Sequence, residues 1–273
     1  MNGLLQVLVD GEPRADGWPL DRSLQYGDGL FETMRVRQGH IRFEALHRAR
    51  LAAGAARLAM PADEARIWAP ARAAASRYGE ALLKLQLSRG DAVARGYGAQ
   101  GTEQQRVILS VFAAPAAAEL PVCLRAVTLQ ARLGENPDLA GIKHCNRLEQ
   151  VLARRALQDS GAFEGIMASS SGLLVSGTMS NVFLELDGEL VTPALQRCGV
   201  AGVMRAAALR EAARAGMPIR VADLPMTVLG GCTSLSLSNA RLGLVPVHEL
   251  DQRQLAASAR LAAIGAALER LDD

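Results

Sequence analysis

The sequence predicts an α+β fold divided into two domains. Three features indicate it: alternating apolar and polar residues typical of strands, alanine-rich stretches typical of helices, and small residues between two prolines near residue 115. The strand and helix patterns follow one another without a regular βαβ rhythm, and no internal repeat is visible. This combination favours the α+β class.

The first third of the chain opens with strand patterns. "LLQVLVDGEP" runs into an Asp-Gly turn, and "FETMRVRQGHIRF" alternates on both sides of Gln38-Gly39, which predicts a hairpin. Two helical stretches follow, "EALHRARLAAGAARLAM" and "DEARIWAPARAAASRYG", and then two strand candidates, "ALLKLQLSRG" and "QRVILSVFAAP". We therefore predict a smaller N-terminal α+β domain over residues 1–114.

A linker is predicted next, because "AAPAAAELP" (residues 113–121) consists largely of small residues bracketed by prolines. We place the linker at 115–121 and a larger C-terminal α+β domain at 122–273. After a first strand, "VCLRAVTLQARL", a helix is predicted from about Asn146. Asn146 is expected to cap this helix, and Glu149 stands three residues on, as in a capping box.

The remaining elements of the predicted C-terminal domain follow from similar patterns. Leu148, Val151 and Leu152 form an apolar stripe on the helix after Asn146. Two strand patterns come next, "EGIMASSSGLLVSG" and "SNVFLELDGELVTP", and a helix is predicted over "AGVMRAAALREAARAG". Two further strand-like runs and an alanine-rich helix complete the chain.

Composition excludes several classes of protein. The net charge of the 273 residues is only +2 and the basic residues are spread out, which predicts no nucleic-acid or membrane partner. The four cysteines stand far apart without a C-x-x-C pair, which argues against a zinc ribbon or a disulfide framework. The N-terminus lacks the pattern of a signal peptide, and no apolar run approaches membrane-spanning length. We expect a cytoplasmic protein without a metal site.

Lysine is rare in this sequence, which makes its two positions informative. Of the 30 Lys and Arg residues only Lys84 and Lys143 are lysines. Arginine stays charged near neutral pH, whereas a lysine can act as a nucleophile or a base and can form a Schiff base with an aldehyde. Lys143, in "AGIKHCNRLEQ", is therefore a candidate for chemistry, with chance retention as the alternative. Lys84 lies in the alternating "LLKLQLS" and is predicted to be a strand residue with its ammonium group in solvent.

A lysine that holds pyridoxal phosphate needs phosphate-binding groups elsewhere in the chain. "CGVAGVMR" places glycines before a helix, so the amides of Gly202, Val203 and Met204 are expected to point at an anion. "SLSNA" offers hydroxyls and amides after a strand, and Arg50 in "HRARL" offers charge. Each signal is weak alone, because glycines before a helix usually mark a turn.

Together these motifs identify a resemblance that runs over nearly the whole chain. The motifs that carry it are "QYGDGLFETMRV", "HRARL", "LSRGDAVARGY", "GIKHCNRLEQVLAR", "SGTMSNVF", "GVAGVMR" and "SNARLGLVPV". The chain resembles the fold-type IV pyridoxal-phosphate enzymes, the group of branched-chain and D-amino acid aminotransferases. Within that group it is most similar to the aminodeoxychorismate lyase family. The lysine segment is the most specific of the seven motifs.

The resemblance implies a two-domain D-amino acid aminotransferase-like fold, a pyridoxal 5'-phosphate cofactor and a homodimer. It implies that Lys143, carried by the larger domain, is the catalytic residue and forms the Schiff base. It also implies that Arg50 holds the phosphate. The further cofactor-binding residues expected from the aligned motifs are Ser176, Gly202, Val203, Met204, Ser238, Asn239 and Ala240.

Position 176 departs from the family pattern. The family places a glutamate before the Gly-Thr-x-Ser-Asn turn, where it keeps the ring nitrogen of the cofactor protonated, whereas this sequence has Ser176. A serine can form a hydrogen bond with that nitrogen but brings no charge. This favours an elimination over a transamination, because transamination depends more on storing electrons in the ring.

The function implied by the resemblance is the release of pyruvate from 4-amino-4-deoxychorismate to give 4-aminobenzoate for folate biosynthesis. The alternatives are a class IV aminotransferase acting on D- or branched-chain amino acids, and a pyridoxal-phosphate-binding protein without turnover. The small-molecule substrate of the lyase carries two carboxylates, so its pocket should contain cations. Arg89 and Arg95 are the candidates for this role.

Overall fold

A computed structural model describes residues 4–13, 21–91, 96–101, 103–115 and 119–271. Its contacts divide the chain into two compact units. The first comprises Met1–Pro115 together with Ile142–Asn146, and the second comprises Ala116–Gly141 together with Arg147–Asp272. The short segment Ile142–Asn146, which contains Lys143, thus belongs by its contacts to the first unit. The boundaries at 114 and 122 stay a prediction.

The first unit is built on an antiparallel sheet with strand order β2-β1-β6-β5-β3-β4. The strands are β1 (Leu4–Val9), β2 (Glu12–Pro13), β3 (Gly29–Arg37), β4 (His40–Ile41), β5 (Ala81–Ser88) and β6 (Arg106–Ala113). The helices are α1 (Arg22–Tyr26), α2 (Glu44–Arg57) and α3 (Glu64–Tyr78). The predicted hairpin is confirmed, since Gln38 and Gly39, both with positive φ, connect β3 to β4.

Alternation along β3 gives this sheet one buried face and one partly open face. Leu30, Met34 and Val36 are buried on the face that α2 covers, and Glu32 is buried among them. Phe31 and the next odd-numbered residues of β3 are half-buried on the opposite face. Because Lys84 of β5 pairs with Thr33 of β3, Lys84 lies on the same face as Phe31.

The second unit contains a mixed sheet with strand order β12-β11-β10-β13-β14-β7-β8-β9, and β15 pairs with β14. Its strands are β7 (Leu124–Leu133), β8 (Glu164–Ser169), β9 (Leu174–Gly177), β10 (Asn181–Leu186), β11 (Glu189–Pro193), β12 (Ile219–Ala222), β13 (Ser234–Asn239), β14 (Gly243–Leu250) and β15 (Arg253–Gln254). Its helices are α4 (Leu148–Ala156), α5 (Val203–Arg214), a 3-10 helix (Met226–Gly230) and α6 (Ala259–Arg270). Leu184, Leu235, Leu237 and Val247 are fully buried in its core. The predicted α+β class is confirmed.

The helix after Lys143 differs from its prediction at its first turn. α4 begins at Leu148 with Arg147 as N-cap and no side-chain capping bond, so the prediction that Asn146 caps it was wrong. The Asn146 amide group instead donates to the Gly27 carbonyl, and Oε1 of Glu149 accepts the Gly134 amide at 2.7 Å. The capping box is therefore absent, because each of its two side chains binds another loop.

The apolar stripe of α4 faces outward in this chain. Leu148, Val151 and Leu152 are 76%, 59% and 62% exposed, whereas Ala153 is the fully buried residue of the helix. The apolar stripe is therefore not part of the buried core of this chain. Among the described helices, none combines the length and the hydrophobicity that a membrane crossing requires.

Candidate active site

A buried cluster of charged and polar side chains connects β3 to α2 in the first unit. Glu32 is fully buried, and both of its carboxylate oxygens are used. Arg50 donates through Nε to Oε1 at 2.8 Å and through Nη2 to Oε2, and Nδ1 of His47 lies 2.6 Å from Oε2. His47 and Arg50 stand three residues apart on α2, so one helical face brings both to the same carboxylate.

The charges in this cluster follow from burial and from the arginine. Burial alone raises the pKa of Glu32, but the charge of Arg50, with the hydrogen bonds from Arg50 and His47, lowers it to about 2. Burial lowers the pKa of His47, even though the Glu32 carboxylate acts to raise it. Near neutral pH, Glu32 is therefore an anion that fixes the Arg50 guanidinium, and His47 is a neutral donor to it.

Lys143 reaches the same strand through its backbone. The Phe31 amide donates to the Lys143 carbonyl at 2.9 Å, and the Cys145 amide donates to the Gly29 carbonyl at 2.9 Å. His144 pairs with Leu30 through its backbone. The half-buried Lys143 side chain places Nζ 4.2 Å from the centroid of the Phe31 ring. Lys143 therefore contacts Phe31, which precedes Glu32 in β3.

Lys84 lies at the same aromatic ring, a neighbour that its sequence pattern does not reveal. Its Nζ is 5.6 Å from the Phe31 centroid, so both lysines of the chain contact one side chain. Lys84 is exposed, as predicted, but its position beside Lys143 depends on the pairing of β5 with β3. Alternation along β5 predicts which face of the sheet Lys84 lies on. Only the register between β5 and β3 shows that Phe31 is its neighbour.

Of the two arginines predicted to bind substrate, only Arg89 lies within the described residues. Arg89 is buried and donates to Asp28 at 2.7 Å, to the Leu58 carbonyl at 2.6 Å and to the Ala59 carbonyl at 3.2 Å. Burial raises the pKa of Asp28, but hydrogen bonds from Arg89 and Arg22 hold it below its usual value. These contacts give Arg89 a role inside the first unit, and its role in substrate binding stays a prediction. Arg95 lies outside the described residues.

In the second unit, Ser176 and Asn181 stand at the two ends of one turn. Ser176 is the next-to-last residue of β9. Its hydroxyl donates to the Gly177 carbonyl at 2.8 Å. Asn181 begins β10 and pairs with Ser238 of β13. The Asn181 side chain also donates to the Val200 carbonyl at 2.9 Å and accepts the Gly202 amide at 3.1 Å. Asn181 therefore connects three of the predicted motifs, a role that the sequence analysis did not assign.

The start of α5 corrects one expectation. The Gly202 amide was expected to point at an anion, but it is taken by Oδ1 of Asn181. A Cβ at Gly202 would lie 2.0 Å from that oxygen, so the close approach requires a glycine. Gly202 is the N-cap of α5, and the first amides of the helix itself belong to Val203 and Met204. The predicted anion site thus begins one residue later in the chain.

The last predicted loop contains an unsatisfied hydroxyl. The Ser238 side chain is 1% exposed, and its Oγ has no hydrogen-bond partner in the described part of the chain. Asn239 organises the loop by accepting the amides of Arg241 and Leu242, each at 2.9 Å, and by donating to the Met179 carbonyl. Ala240 follows Asn239 in the turn after β13. A buried hydroxyl without a partner is a group that a bound ligand can satisfy.

Each unit thus contains groups that fit pyridoxal phosphate. The first offers a lysine amine against an aromatic ring and an arginine anchored by a buried carboxylate. The second offers an unsatisfied serine hydroxyl and the N-terminus of a helix of 12 residues. Throughout the described ranges, no three His, Cys, Asp or Glu side chains come together as a metal site requires.

Comparison with known proteins places these features in context. The family model for amino-transferase class IV matches residues 29–250. The aminodeoxychorismate lyase of Vibrio harveyi is 34% identical over 254 residues, which cover 89% of this chain and 90% of that protein.

Two solved structures are similar over almost the whole chain. The 4-amino-4-deoxychorismate lyase of Pseudomonas aeruginosa is 40% identical with a TM-score of 0.91, covering 98% of this chain and 100% of that one. A hypothetical aminotransferase of Mycobacterium tuberculosis in a PLP-bound form has a TM-score of 0.82 over 97% of this chain and 98% of that one. Its 22% identity supports the fold alone.

Proposed function

We propose that this chain, which belongs to the class IV aminotransferase family, is a pyridoxal-phosphate-dependent 4-amino-4-deoxychorismate lyase. The reaction releases pyruvate and leaves 4-aminobenzoate, a step toward folate. The observation that carries the proposal is the backbone pairing of Lys143 with β3, the strand whose Glu32 anchors Arg50. A nucleophilic amine and an anchored cation are the groups that this cofactor requires from a protein.

Lys143 has two tasks in the proposed reaction. Bound pyridoxal phosphate supplies an aldehyde that condenses with amines and a conjugated ring that delocalises negative charge. Lys143 would hold the cofactor through Nζ and would be displaced by the amine of the substrate. The released Lys143 amine would then remove the proton from the ring carbon that bears the substrate nitrogen. The bond from the ring to the enolpyruvyl oxygen would break, the enolpyruvate released would take up a proton to become pyruvate, and the ring would become aromatic.

Arg50 is proposed to bind the phosphate, and Glu32 to hold Arg50 in place. The ion pair uses Nε and Nη2 of Arg50, and both side chains are largely buried. A guanidinium fixed in this way loses little conformational freedom when it binds an anion. In the second unit, the amides of Val203 and Met204 and the Ser238 hydroxyl are the proposed phosphate donors. Gly202, Asn239 and Ala240 are proposed to shape the backbone around them.

Lys84 is the cation that we propose for a substrate carboxylate. Its ammonium group is exposed and lies at the same ring as Lys143, so it is near the proposed reacting amine. Arg89 is held by Asp28 and two carbonyls inside the first unit, whereas the Lys84 ammonium group is exposed, so Lys84 is the better candidate among the described residues. Arg95 stays a prediction for the second carboxylate.

The alternative function is transamination of a D- or branched-chain amino acid, which the family also includes. Ser176 argues against it, because its hydroxyl brings no negative charge to the cofactor ring. Elimination tolerates an uncharged group at position 176, because the leaving group and the new aromatic ring take the electrons. The third possibility, a cofactor-binding protein without turnover, is disfavoured by the retention of Lys143 together with an organised Arg50.

We also propose a cytoplasmic homodimer. The four cysteines are free thiols, which suits a reducing compartment. The exposed stripe of Leu148, Val151 and Leu152 on α4 is the proposed contact with a second copy.

The experiment that tests the function follows pyruvate and 4-aminobenzoate from synthetic 4-amino-4-deoxychorismate. We expect wild type to release both products in equal amounts and to transfer little nitrogen from D-alanine to 2-oxoglutarate. Lys143→Ala should lose turnover and the peptide that borohydride labels with cofactor. Lys84→Ala should keep that label and raise the KM. Transamination without pyruvate release from the chorismate derivative would refute the lyase assignment.

A further inference from the structure

Glu164 is a buried carboxylate that none of the proposed catalytic roles uses. It is the first residue of β8, is 1% exposed, and lies against the turn that connects β9 to β10. A buried anion is costly unless hydrogen bonds or opposite charge compensate for it. The hydrogen-bond partners of the Glu164 carboxylate therefore indicate its role.

Five hydrogen bonds converge on this carboxylate, and four of them come from one turn. Oε1 accepts the amide of Thr178 at 3.0 Å and the Thr178 hydroxyl, and it also accepts the amide of Gly165 at 3.0 Å. Oε2 accepts the Ser180 hydroxyl at 2.8 Å and the Met179 amide at 3.3 Å. Hydrogen bonds to an ionised acceptor are stronger than those between neutral groups. The carboxylate thus organises residues 178–180.

Among the described side chains, the ion pair of Glu164 is long and partly exposed to solvent. The nearest cation is Arg154, whose Nη1 lies 3.7 Å from Oε1 and donates to the Phe163 carbonyl at 2.8 Å. Arg154 is 44% exposed, so solvent screens its charge. The negative charge of Glu164 is therefore compensated mainly by the donors of the turn.

The turn is also packed tightly around Glu164. A Cβ at Gly177 would lie 2.2 Å from Oγ of Ser180 and 2.8 Å from Cγ and Cδ of Glu164. Glycine is required here because the backbone and the carboxylate occupy the space of a side chain. The position of the carboxylate and the path of the turn are therefore interdependent.

The residues on either side of this turn are connected to the proposed cofactor-binding positions of the second unit. Ser176 precedes Gly177 and is the residue proposed to meet the cofactor ring, and Asn181 follows Ser180 and binds the Gly202 amide. We propose that Glu164 is a positioning residue that fixes Ser176 and Asn181 through the turn between them, so that the cofactor-binding surface is preformed. This inference rests on the proposed function for the identity of the cofactor.

The test compares cofactor affinity with stability. In Glu164→Gln the amide keeps one acceptor oxygen, and the Thr178 and Ser180 hydroxyls can rotate, but the backbone amides of the turn cannot. We expect about a tenfold rise in the Kd of apoenzyme for pyridoxal phosphate, corresponding to one lost charged hydrogen bond. Hydrogen exchange at the amides of Thr178 and Met179 should accelerate. Unchanged affinity with unchanged exchange would overturn the proposal.

Two control variants separate positioning from general destabilisation. Glu189→Gln removes the same charge from an exposed side chain that pairs with Arg220, and we expect its Kd to match wild type. Val247→Ala truncates a fully buried core residue away from the turn, and should lower Tm without weakening cofactor binding. If Val247→Ala weakens binding as much as Glu164→Gln at equal loss of Tm, Glu164 has no positioning role.

A second variant covers the case in which Glu164→Gln does not fold. Thr178→Val removes one hydroxyl donor to Glu164 and keeps the amide, and we expect a several-fold rise in Kd; no rise would contradict the proposal. The binding measurement needs no substrate, so it is independent of the reaction. Wild type that binds cofactor but releases no pyruvate would refute the proposed function, whereas variants that bind like wild type would refute only the role of Glu164.

Discussion

Ser176 is a single residue on which the choice between two reactions depends. Its hydroxyl donates to the Gly177 carbonyl, so its oxygen is left to accept a hydrogen bond. The buried acid in contact with Gly177 is Glu164, and both of its oxygens are engaged by residues 165 and 178–180. The carboxylate of Glu164 is therefore engaged by the turn itself.

Replacing Ser176 with glutamate should therefore alter the balance of activities. We expect Ser176→Glu to raise transamination of D-alanine relative to pyruvate release, because a carboxylate stabilises positive charge on the ring nitrogen. Both rates are measured on one preparation, with Ser176→Gln as the uncharged control of similar size. An unchanged ratio in Ser176→Glu would mean that position 176 does not act on the ring.

Arg50 and Arg48 provide a second comparison at the scale of residues. Arg50 is fixed by the buried Glu32, whereas Arg48 is 37% exposed and pairs with Glu64, which is 55% exposed. We expect Arg50→Ala to weaken pyridoxal-phosphate binding about 10- to 100-fold, the effect of losing one or two charged hydrogen bonds. Arg48→Ala should bind like wild type, because exposed ion pairs contribute little. The Kd of each apoenzyme for pyridoxal phosphate is measured by titration. Equal losses of affinity in the two variants would contradict the assignment of Arg50.

At the scale of elements, periodicity predicted the strands and helices well but not how they are joined. The alternation of β3 and the length of α2 follow from local patterns, so both could be predicted from the sequence. The start of α4 could not, because Asn146 and Glu149 bind Gly27 and Gly134, which are distant in the sequence. Glu32 and Asn181 were missed for the same reason, since each acts through residues that only the fold brings close.

The junction between β10 and α5 gives a prediction at this scale. The backbone of Gly202 has φ −66° and ψ 142°, which alanine adopts without strain, so Gly202→Ala acts only through its Cβ. That Cβ would overlap Oδ1 of Asn181 and displace the Asn181 side chain. We expect a loss of about 1–3 kcal/mol in the free energy of unfolding and weaker cofactor binding.

The control is Gly230→Ala, where a Cβ meets no atom within 4 Å. We expect Gly230→Ala to match wild type in the free energy of unfolding of the apoenzyme, measured with urea, and in the Kd for pyridoxal phosphate, measured by titration. If Gly202→Ala also behaves like wild type in both measurements, the bond from Asn181 to Gly202 does not organise the site.

At the scale of the whole molecule, the sequence predicted two α+β domains and the motifs that carry the site. It could not assign Lys143 to the first unit, because that depends on an extended segment pairing with β3 across more than a hundred residues of chain. It identified the stripe on α4 as apolar but not as exposed, since periodicity shows that residues share a face and not what covers that face.

The exposed stripe predicts the assembly state. Burying Leu148, Val151 and Leu152 against a second copy would contribute roughly 1.5–3 kcal/mol for each side chain, which favours a dimer at micromolar concentration once the rest of an interface is added. We expect wild type to sediment at about twice its chain mass of 28.9 kDa. Leu148→Asp combined with Val151→Asp should shift it to a monomer, because burying unpaired carboxylates is costly. Val122→Asp, at an apolar residue that is 87% exposed but outside α4, should remain a dimer. A double variant that keeps the dimer would place the interface elsewhere, and a monomeric wild type would refute the homodimer.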